Sequence, residues 1–564
     1  MKLNERILWD TTEYPAEYPK KIKKIYFRVS LINRRPFTKW IGSISKSFRN
    51  DIDWWVTLPA TRDPYVSSLF HSICILKTLE ILKSQIKNIL IKVNSKSLFN
   101  IIENWSKKNN LSINIEYINN SKKLNGFFII PKTIFFYFFL FFFLKFLTKK
   151  NIIKKNINKN VLIDTFATKE SIQGERLYQR LDIILKKKKA KHVFFVPTFV
   201  IERNLLNVVK IIQCLSRRNY LFKEHYLSFS DIFFSSLHFL RIKKFIKKYD
   251  SYFKWDLSQV ICDEIRSSQH YPSKVNAILN YRFAKNLSIQ KVPIKKTINW
   301  FENQIVDKGW NLGFRKFFKN IKTYGYQGFI SFPHYMNSIP SKQEEYAKVI
   351  PSEIIIMGKA YKNLKKEFFP KLKVTVGPAL NYTNIFKINS KSNKIKVLVI
   401  LPGIQPLDSK LLEWICAIEE NNKNLKVIIK PHPVHSLPFL PNLLDKINFK
   451  NRKNLFISNE KLSNLLEKTS IVICSGPTGA IMESLAYNCF LLVPVLDSID
   501  EFFFKATEIP KSKYCLVYNK IELSKIIAKK INKKYVLKNK KNNNLKFKKL
   551  FFEKISNKNL KYYY

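Results

Sequence analysis

Three stretches in the C-terminal third of the chain combine residue types that can hold a phosphorylated ligand. The apolar run Ile395–Leu401 ends in Pro402-Gly403-Ile404-Gln405-Pro406, and a glycine at such a strand-to-helix turn lets a ligand approach the backbone. The run Val427–Ile429 delivers Lys430 and His432 at its carboxyl end, where Pro431 and Pro433 restrict the backbone. A cation and an imidazole there suit a phosphate, or the charge that develops on a leaving group. The run Ile471–Cys474 leads into Ser475-Gly476-Pro477-Thr478 and then a helical pattern. Two hydroxyls beside the free N–H groups of a helix start make an anion site. Glu483, about one and a half turns inside that helix, can accept from two ribose hydroxyls. Each stretch also has a plainer reading: a common α/β turn, a histidine capping a turn, an N-cap followed by a surface glutamate. The three in this order are more specific than any one.

Such residues need strands that end at a common edge. Short β-branched runs recur at Asn88–Val93, Val161–Asp164, His192–Val196, Glu353–Met357, Lys373–Val376, Ile395–Leu401, Leu425–Ile429, Ser470–Cys474 and Phe490–Val493. Most are apolar on both faces, as buried parallel strands require. Helical patterns at Ser409–Glu420, Lys461–Lys468 and Gly479–Tyr487 lie between them. The alternation predicts an α/β fold with parallel sheets. The polar stretch 381–394 reads as a linker between an N-terminal domain, 1–380, and a C-terminal domain, 395–530. Residues 531–564, dense in Lys and Asn, read as a basic tail.

With these motifs in view, Lys430-Pro431-His432-Pro433 followed by a Ser/Thr turn resembles the His-Pro and Ser-Ser/Thr motifs of bacterial sialyltransferases and polysialyltransferases. The stretch Ser475–Pro494 is similar to the donor loop and helix of many two-domain glycosyltransferases of the GT-B fold, in which the glutamate contacts the donor ribose. The whole chain resembles, more loosely, a group of surface-carbohydrate biosynthesis proteins, through Ile7–Asp10, Asp53–Pro59, Trp300–Gln304, Gly325–Phe329 and Val376–Leu380. One departure is Tyr487-Asn488, where many family members carry glycine after the helix alanine.

The resemblance implies a GT-B-like fold, two Rossmann-like domains facing across a cleft. It implies an inverting, metal-independent glycosyltransferase that needs no cofactor. The partners would be a nucleotide-sugar donor, CMP- or UDP-linked, and a glycan or lipid-linked glycan acceptor of surface polysaccharide or lipopolysaccharide. The donor would sit on the C-terminal domain against Gly403, Lys430, His432, Ser475, Gly476, Thr478 and Glu483. The acceptor and base would come from the N-terminal domain. A base must be a carboxylate or histidine within reach of the acceptor hydroxyl. Glu302, Glu175 and Asp164 are the candidates, and the aromatic, amide-rich setting of Glu302 favours it. His334, in Phe332-Pro333-His334-Tyr335, is similar to a histidine of related polyol-phosphate transferases and would touch acceptor or phosphate. Arg176 suits an acidic acceptor, or a plain surface ion pair. Related readings are a CDP-polyol phosphotransferase, a nucleotide-sugar epimerase and a non-catalytic basic anion-binding protein. No Asp-x-Asp motif follows a strand, so no metal is called for.

A net charge of +59 points to an anionic partner, although Lys, Asn, Ile and Phe are abundant throughout and such a bias also arises from an AT-rich genome. No nucleic-acid module is recognisable and the cations are dispersed, which argues against nucleic acid. The seven cysteines form no CxxC or zinc-like cluster and read as buried thiols of a reducing cytoplasm. Met1–Arg6 has no apolar core behind it, so no signal peptide is expected. The exception to globular patterning is the insert at 127–150, where Phe127–Leu147 is almost wholly apolar. Its uninterrupted part, Ile134–Leu144, falls short of the roughly 20 residues of a span. It is expected to dip into an anionic inner leaflet as a monotopic or re-entrant segment at the cytoplasmic face of the bacterial inner membrane, with a core helix or a short span as alternatives. Lys149, Lys150, Lys154 and Lys155 follow it, as suits an anionic leaflet.

Overall fold

The structure is a computed structural model that describes residues 7–118, 128–148, 160–386, 397–421, 425–432, 439–476, 478–496, 502–504, 509–532 and 541–564. Pro433, Pro477, 387–394 of the linker and the lysines at 149, 150, 154 and 155 lie outside the described residues.

Residues 7–118 form a layer of their own. Strands β1 (Ile7–Asp10), β2 (Ile89–Val93) and β3 (Asn114–Tyr117) pair in parallel in that order. Helix α1 (Lys20–Lys46) packs in this layer through Ile22, Tyr26, Val29, Phe37, Trp40 and Ile44, which recur at helical spacing. Its buried Arg34 donates to both Glu367 oxygens at 3.0 and 2.6 Å and to the Pro333 carbonyl at 3.0 Å, tying the layer to the rest of the chain.

Two six-stranded parallel sheets follow. The first contains β4 (Asn160–Phe166), β5 (Val193–Thr198), β6 (Ile294–Trp300), β7 (Lys322–Gln327), β8 (Glu353–Ile356) and β9 (Val374–Val376), in the order β5-β4-β6-β7-β8-β9. The second contains β10 (Val397–Ile400), β11 (Val427–Lys430), β12 (Leu455–Ile457), β13 (Ile471–Cys474), β14 (Phe490–Pro494) and β15 (Tyr514–Val517), in the order β12-β11-β10-β13-β14-β15. The fold is therefore α/β with two Rossmann-like sheets. In each, the chain fills one side of its first strand and then returns to the other. The topological switch points fall between β4 and β6 and between β10 and β13, where such sheets open a crevice at their carboxyl edge.

Strands β6 and β7 escape a search for apolar runs, because distant residues complete their surroundings. The buried Lys296 in β6 donates to the backbone oxygens of Lys561 and Tyr564 at 3.0 and 2.9 Å, so the strand carries a cation into the interior. In β7, a Cβ at Gly325 would stand 2.5 Å from the Pro351 ring and 2.8 Å from Phe301, so the strand pays with a glycine for close packing.

Five further helices frame the argument: α2 (Ile129–Leu147), α3 (Phe229–Ser236), α4 (Tyr271–Ile289), α5 (Ile305–Phe317) and α6 (Gln405–Asn421). Two more are α7 (Ala480–Ala486) and α8 (Lys541–Phe551). The segment read as a basic tail differs from that expectation in its described part, 541–564. Phe551, Phe552 and Tyr563 are fully buried, the Tyr563 ring lies 5.9 Å from that of Tyr326, and Lys548 donates to the Ile385 carbonyl at 2.6 Å. The aromatic side chains turn inward onto the first sheet while most of the lysines stay at the surface, so high charge and deep packing coexist. Part of the expected linker, 381–386, likewise lies in a packed 3-10 segment, Leu380–Phe386, whose Tyr382 ring lies 5.0 Å from Phe552.

Candidate functional site

The carboxyl edges of the two sheets face one another. A Cβ on Gly479, after β13, would stand 3.0 Å from the Tyr382 hydroxyl and 3.6 Å from Ile330, which follows β7. Phe332, also after β7, packs at 4.6 Å on Phe503, which follows β14.

On the second sheet, the loops after β10, β11 and β13 converge. Gly403 takes φ +86°, and a Cβ there would stand 2.7 Å from Cγ of His432 and 2.8 Å from its Nδ1. The glycine is needed twice over, for its left-handed backbone and for the imidazole beside it. Asp408 accepts from the Gly403 N–H at 3.3 Å and holds this turn from inside α6. Lys430 ends β11 half-buried, and burial pulls its ammonium below the usual lysine range.

Gly476 takes φ +79° against Leu407 and Pro402, which brings the turn after β13 onto the turn after β10. Ser475 is fully buried there. Thr478 spends its side-chain oxygen on the Ala480 N–H at 3.3 Å and donates its own backbone N–H to the Gly476 carbonyl at 2.9 Å. It thus braces the turn before the helix, whose N-cap is Gly479, while its O–H proton can still be donated. Helix α7 begins only at Ala480, so Glu483 lies in its first turn and not deeper, because the left-handed Gly476 prolongs the loop. Glu483 is half-buried, and burial pushes its carboxyl up to about 7.

On the first sheet, Glu302 stands just past β6, at the switch point. Trp300 Nε1 donates to one of its oxygens at 2.6 Å and Gln304 Nε2 to the other at 2.7 Å, while its carbonyl accepts from Asn337 at 3.0 Å. Burial raises its carboxyl, and the Trp300 bond with the Arg176 and Lys365 charges works against the rise. Arg176 also keeps a surface ion pair with Glu170 at 3.8 Å, the plainer of its two readings.

Asp63, which sequence reasoning missed, joins Glu302 from the first layer. Burial pushes it up to about 6, the Tyr65 N–H opposes this, and the charge of Glu302 adds to it. Its only local signal is an Asp-Pro after an apolar turn, far from Glu302 along the chain. Tyr335 lies within the field of both carboxylates and packs at 5.1 Å on Tyr65.

The other candidates are elsewhere. Glu175 is in the interior, where its oxygens accept from Thr165 at 2.6 Å, Tyr220 at 2.9 Å and the Leu177 N–H at 3.1 Å. Asp164 is buried beside Thr198, its carboxyl raised by burial and opposed by Lys223. His334 is buried with Ser30 Oγ 3.4 Å away, and burial with the Arg34 charge pushes its imidazole down to about 3. It lines a cavity of about 450 Å³ together with Thr11, Tyr65, His71 and Gln269. Among the described residues, no group of three or more His, Cys, Asp or Glu side chains is placed to hold a metal ion.

Two facing Rossmann-like sheets, each with a switch point in its strand order, define a GT-B-like two-domain protein. No family model matches the chain, and no curated protein matches it. Among solved structures it is similar to a glycosyltransferase from Rickettsia africae at 13% identity, covering 72% of this chain and 98% of that one with a TM-score of 0.40. It is also similar to the UDP-GlcNAc 2-epimerase from Neisseria meningitidis bound to UDP-GlcNAc, at 12% identity over 70% of this chain and 94% of that one, TM-score 0.38. A third is the S. aureus MnaA–UDP structure, at 13% identity over 67% and 89% of the respective chains, TM-score 0.38. Likeness at this level carries no argument about substrate or reaction.

Proposed function

We propose that the protein is a glycosyltransferase that moves a sugar from a pyrimidine-nucleotide donor to a surface-polysaccharide or lipopolysaccharide acceptor. One observation carries the reading: the carboxyl edges of the two sheets meet, with Gly479 against Ile330 and Phe332 against Phe503, and His432 packs on Gly403 at one switch point while the Glu302 carboxylate is held just past the other. In this reading Glu483 accepts from the ribose hydroxyls. Lys430, His432 and the Ser475-to-Thr478 loop meet the phosphate, where negative charge grows as the nucleotide leaves. Glu302 takes the proton of the acceptor hydroxyl as its oxygen attacks the anomeric carbon. Trp300 and Gln304 fix the direction of that carboxylate, and its raised affinity for a proton suits a base.

A thermal-unfolding panel with CMP, CDP, UDP and GDP and their sugars tests the donor site, since a ligand that binds only the folded state raises the melting temperature. A pyrimidine nucleotide should stabilise the protein and His432→Ala should remove the shift. Absence of stabilisation by every nucleotide would rule the reading out. Following the sugar separates transfer from epimerisation: a transferase couples free nucleotide to a new glycosidic bond, whereas an epimerase returns an isomeric nucleotide sugar.

A further inference from the structure

Helix α2 is apolar all round, yet it does not stand away from the protein. Thr133, Phe136, Tyr137, Leu140, Phe141 and Leu144 form one buried stripe. The stripe is anchored by polar contacts: the Tyr137 hydroxyl donates to the Pro272 carbonyl at 3.0 Å, and Lys145 donates to the Leu227 carbonyl at 2.9 Å. A helix clamped along its length in this way lies across the protein surface.

Among the described residues its outer face stays open: Phe135, Phe142 and Phe146 are exposed at 64, 46 and 71%. Helix α3 extends the face, since Phe229 lies 5.2 Å from Phe138 and 6.3 Å from Phe142. Phe233, one turn on, is exposed at 53%. A run of exposed aromatic rings that adjoin one another marks an interaction surface.

The next residue of α3, Phe234, turns the other way and walls a cavity of about 890 Å³. Its cations are Lys46, Arg49, Arg282, Lys285 and Lys316. Its two carboxylates are already engaged, Asp51 by Lys244 and Asp53 by His238 and Arg241 at 2.8 Å. Arg282 pairs with Asp231 and also stacks over Phe234 at 5.0 Å. One short helix therefore carries an aromatic face on one side and a cationic cavity on the other. That pairing matches an interface where acyl chains adjoin anionic headgroups.

We propose that the outer face of α2 with Phe229 and Phe233 seats on an anionic lipid bilayer, the α2 rings entering the acyl boundary and the cavity beside Phe234 taking phosphate headgroups. The helix lies in the plane of the membrane. This goes beyond the transfer reading and does not depend on it.

Flotation of the full chain with vesicles tests it, using neutral phosphatidylcholine and the same lipid with phosphatidylglycerol. The protein should float with the anionic vesicles at least about tenfold better than with neutral ones at low salt, and lose that preference as salt screens the headgroups. Phe135→Ser/Phe142→Ser/Phe146→Ser should abolish flotation with both. Lys285→Glu/Lys316→Glu should remove only the preference for anionic lipid. A retained nucleotide-dependent or, failing that, unliganded melting transition shows that each variant is folded. Wild-type protein that floats with neither vesicle overturns the proposal, as does a folded triple variant that floats like wild type. A wild-type dimer in light scattering that the triple variant converts to monomer, with no vesicle binding, would assign the face to a second copy instead and also overturn it.

Discussion

Gly403 and His432 are packed so closely that any side chain at position 403 would enter the imidazole, with a Cβ 2.7 Å from Cγ. The glycine thus sets where the histidine of the neighbouring strand end can stand. Gly403→Ala should strain the turn and displace His432. We expect a loss of about 1 kcal/mol or more in stability and a nucleotide Kd raised about tenfold, ~1.4 kcal/mol. Denaturant unfolding and calorimetric titration check the two effects separately. An alanine variant with unchanged nucleotide affinity would break the link between the turn and the histidine.

Glu483 gives the donor site a pH signature. Burial holds its carboxyl at about 7, and only the ionised form accepts from two hydroxyls. Binding of a ribose therefore favours loss of the proton. Affinity should rise as pH increases through 7 and weaken below it. Glu483→Gln should flatten that dependence at a lower overall affinity. Titrating a nucleoside in parallel with the nucleotide separates this carboxyl from the phosphate's own ionisation.

Glu302 and Glu175 should part under the same substitution. Glu302→Gln keeps the shape and removes the proton acceptor, so kcat should fall about a hundredfold to ten-thousandfold with nucleotide affinity retained. Glu175 accepts three hydrogen bonds in the interior, and Glu175→Gln brings donors where acceptors are required. It should cost about 1–3 kcal/mol of stability, seen in urea unfolding, with kcat of the folded fraction near wild type. The opposite pattern would make Glu175 the base.

Asp63 feels the charge of Glu302, which adds to the burial that lifts its carboxyl to about 6. Glu302→Gln removes that like charge, so the Asp63 carboxyl should titrate at lower pH in the variant. NMR titration of the Asp63 carboxyl reads the shift. An unchanged titration would separate Asp63 from the site.

A buried cluster joins the first layer to the sheet below. Glu344 accepts from Arg62 at 2.7 Å and Lys308 at 2.5 Å, all three inside the protein. Burial opposes ionisation of Glu344, but the two cations overcome it and hold the carboxyl at about 2, below its ordinary 4.5. A depressed carboxyl stabilises the fold fully above about 4.5, and that contribution is lost as pH falls toward 2. Glu344→Ala should cost about 3–5 kcal/mol at neutral pH, because it leaves two buried cations unpaired. The acid limb of the stability curve should shrink in the variant. Unchanged acid unfolding would show that the cluster carries no such weight.

How much of this was legible in the sequence follows from range. Strands β10, β11 and β13 announce themselves as apolar runs, and the residues at their ends are their immediate neighbours along the chain. Local patterning was therefore enough to place Gly403, Lys430, His432 and Ser475 at one sheet edge. Strands β6 and β7 did not announce themselves, since Lys296 and Gly325 are tolerated only because the carbonyl of Lys561 and the ring of Pro351 complete their surroundings. The helix α2 stretch was recognisable as apolar, but periodicity cannot say which face of an all-apolar helix is buried. That was decided by Tyr137, Pro272 and the carbonyl of Leu227. Asp63 beside Glu302, Tyr382 against Gly479, and the inward-turned aromatics of 541–564 likewise depend on which distant segments pack together. By itself the sequence determined the class of fold and one wall of the cleft, because strand burial and turn chemistry are local. Only the tertiary structure decided the opposing wall, because burial, charge pairing and exposure there come from residues hundreds of positions apart.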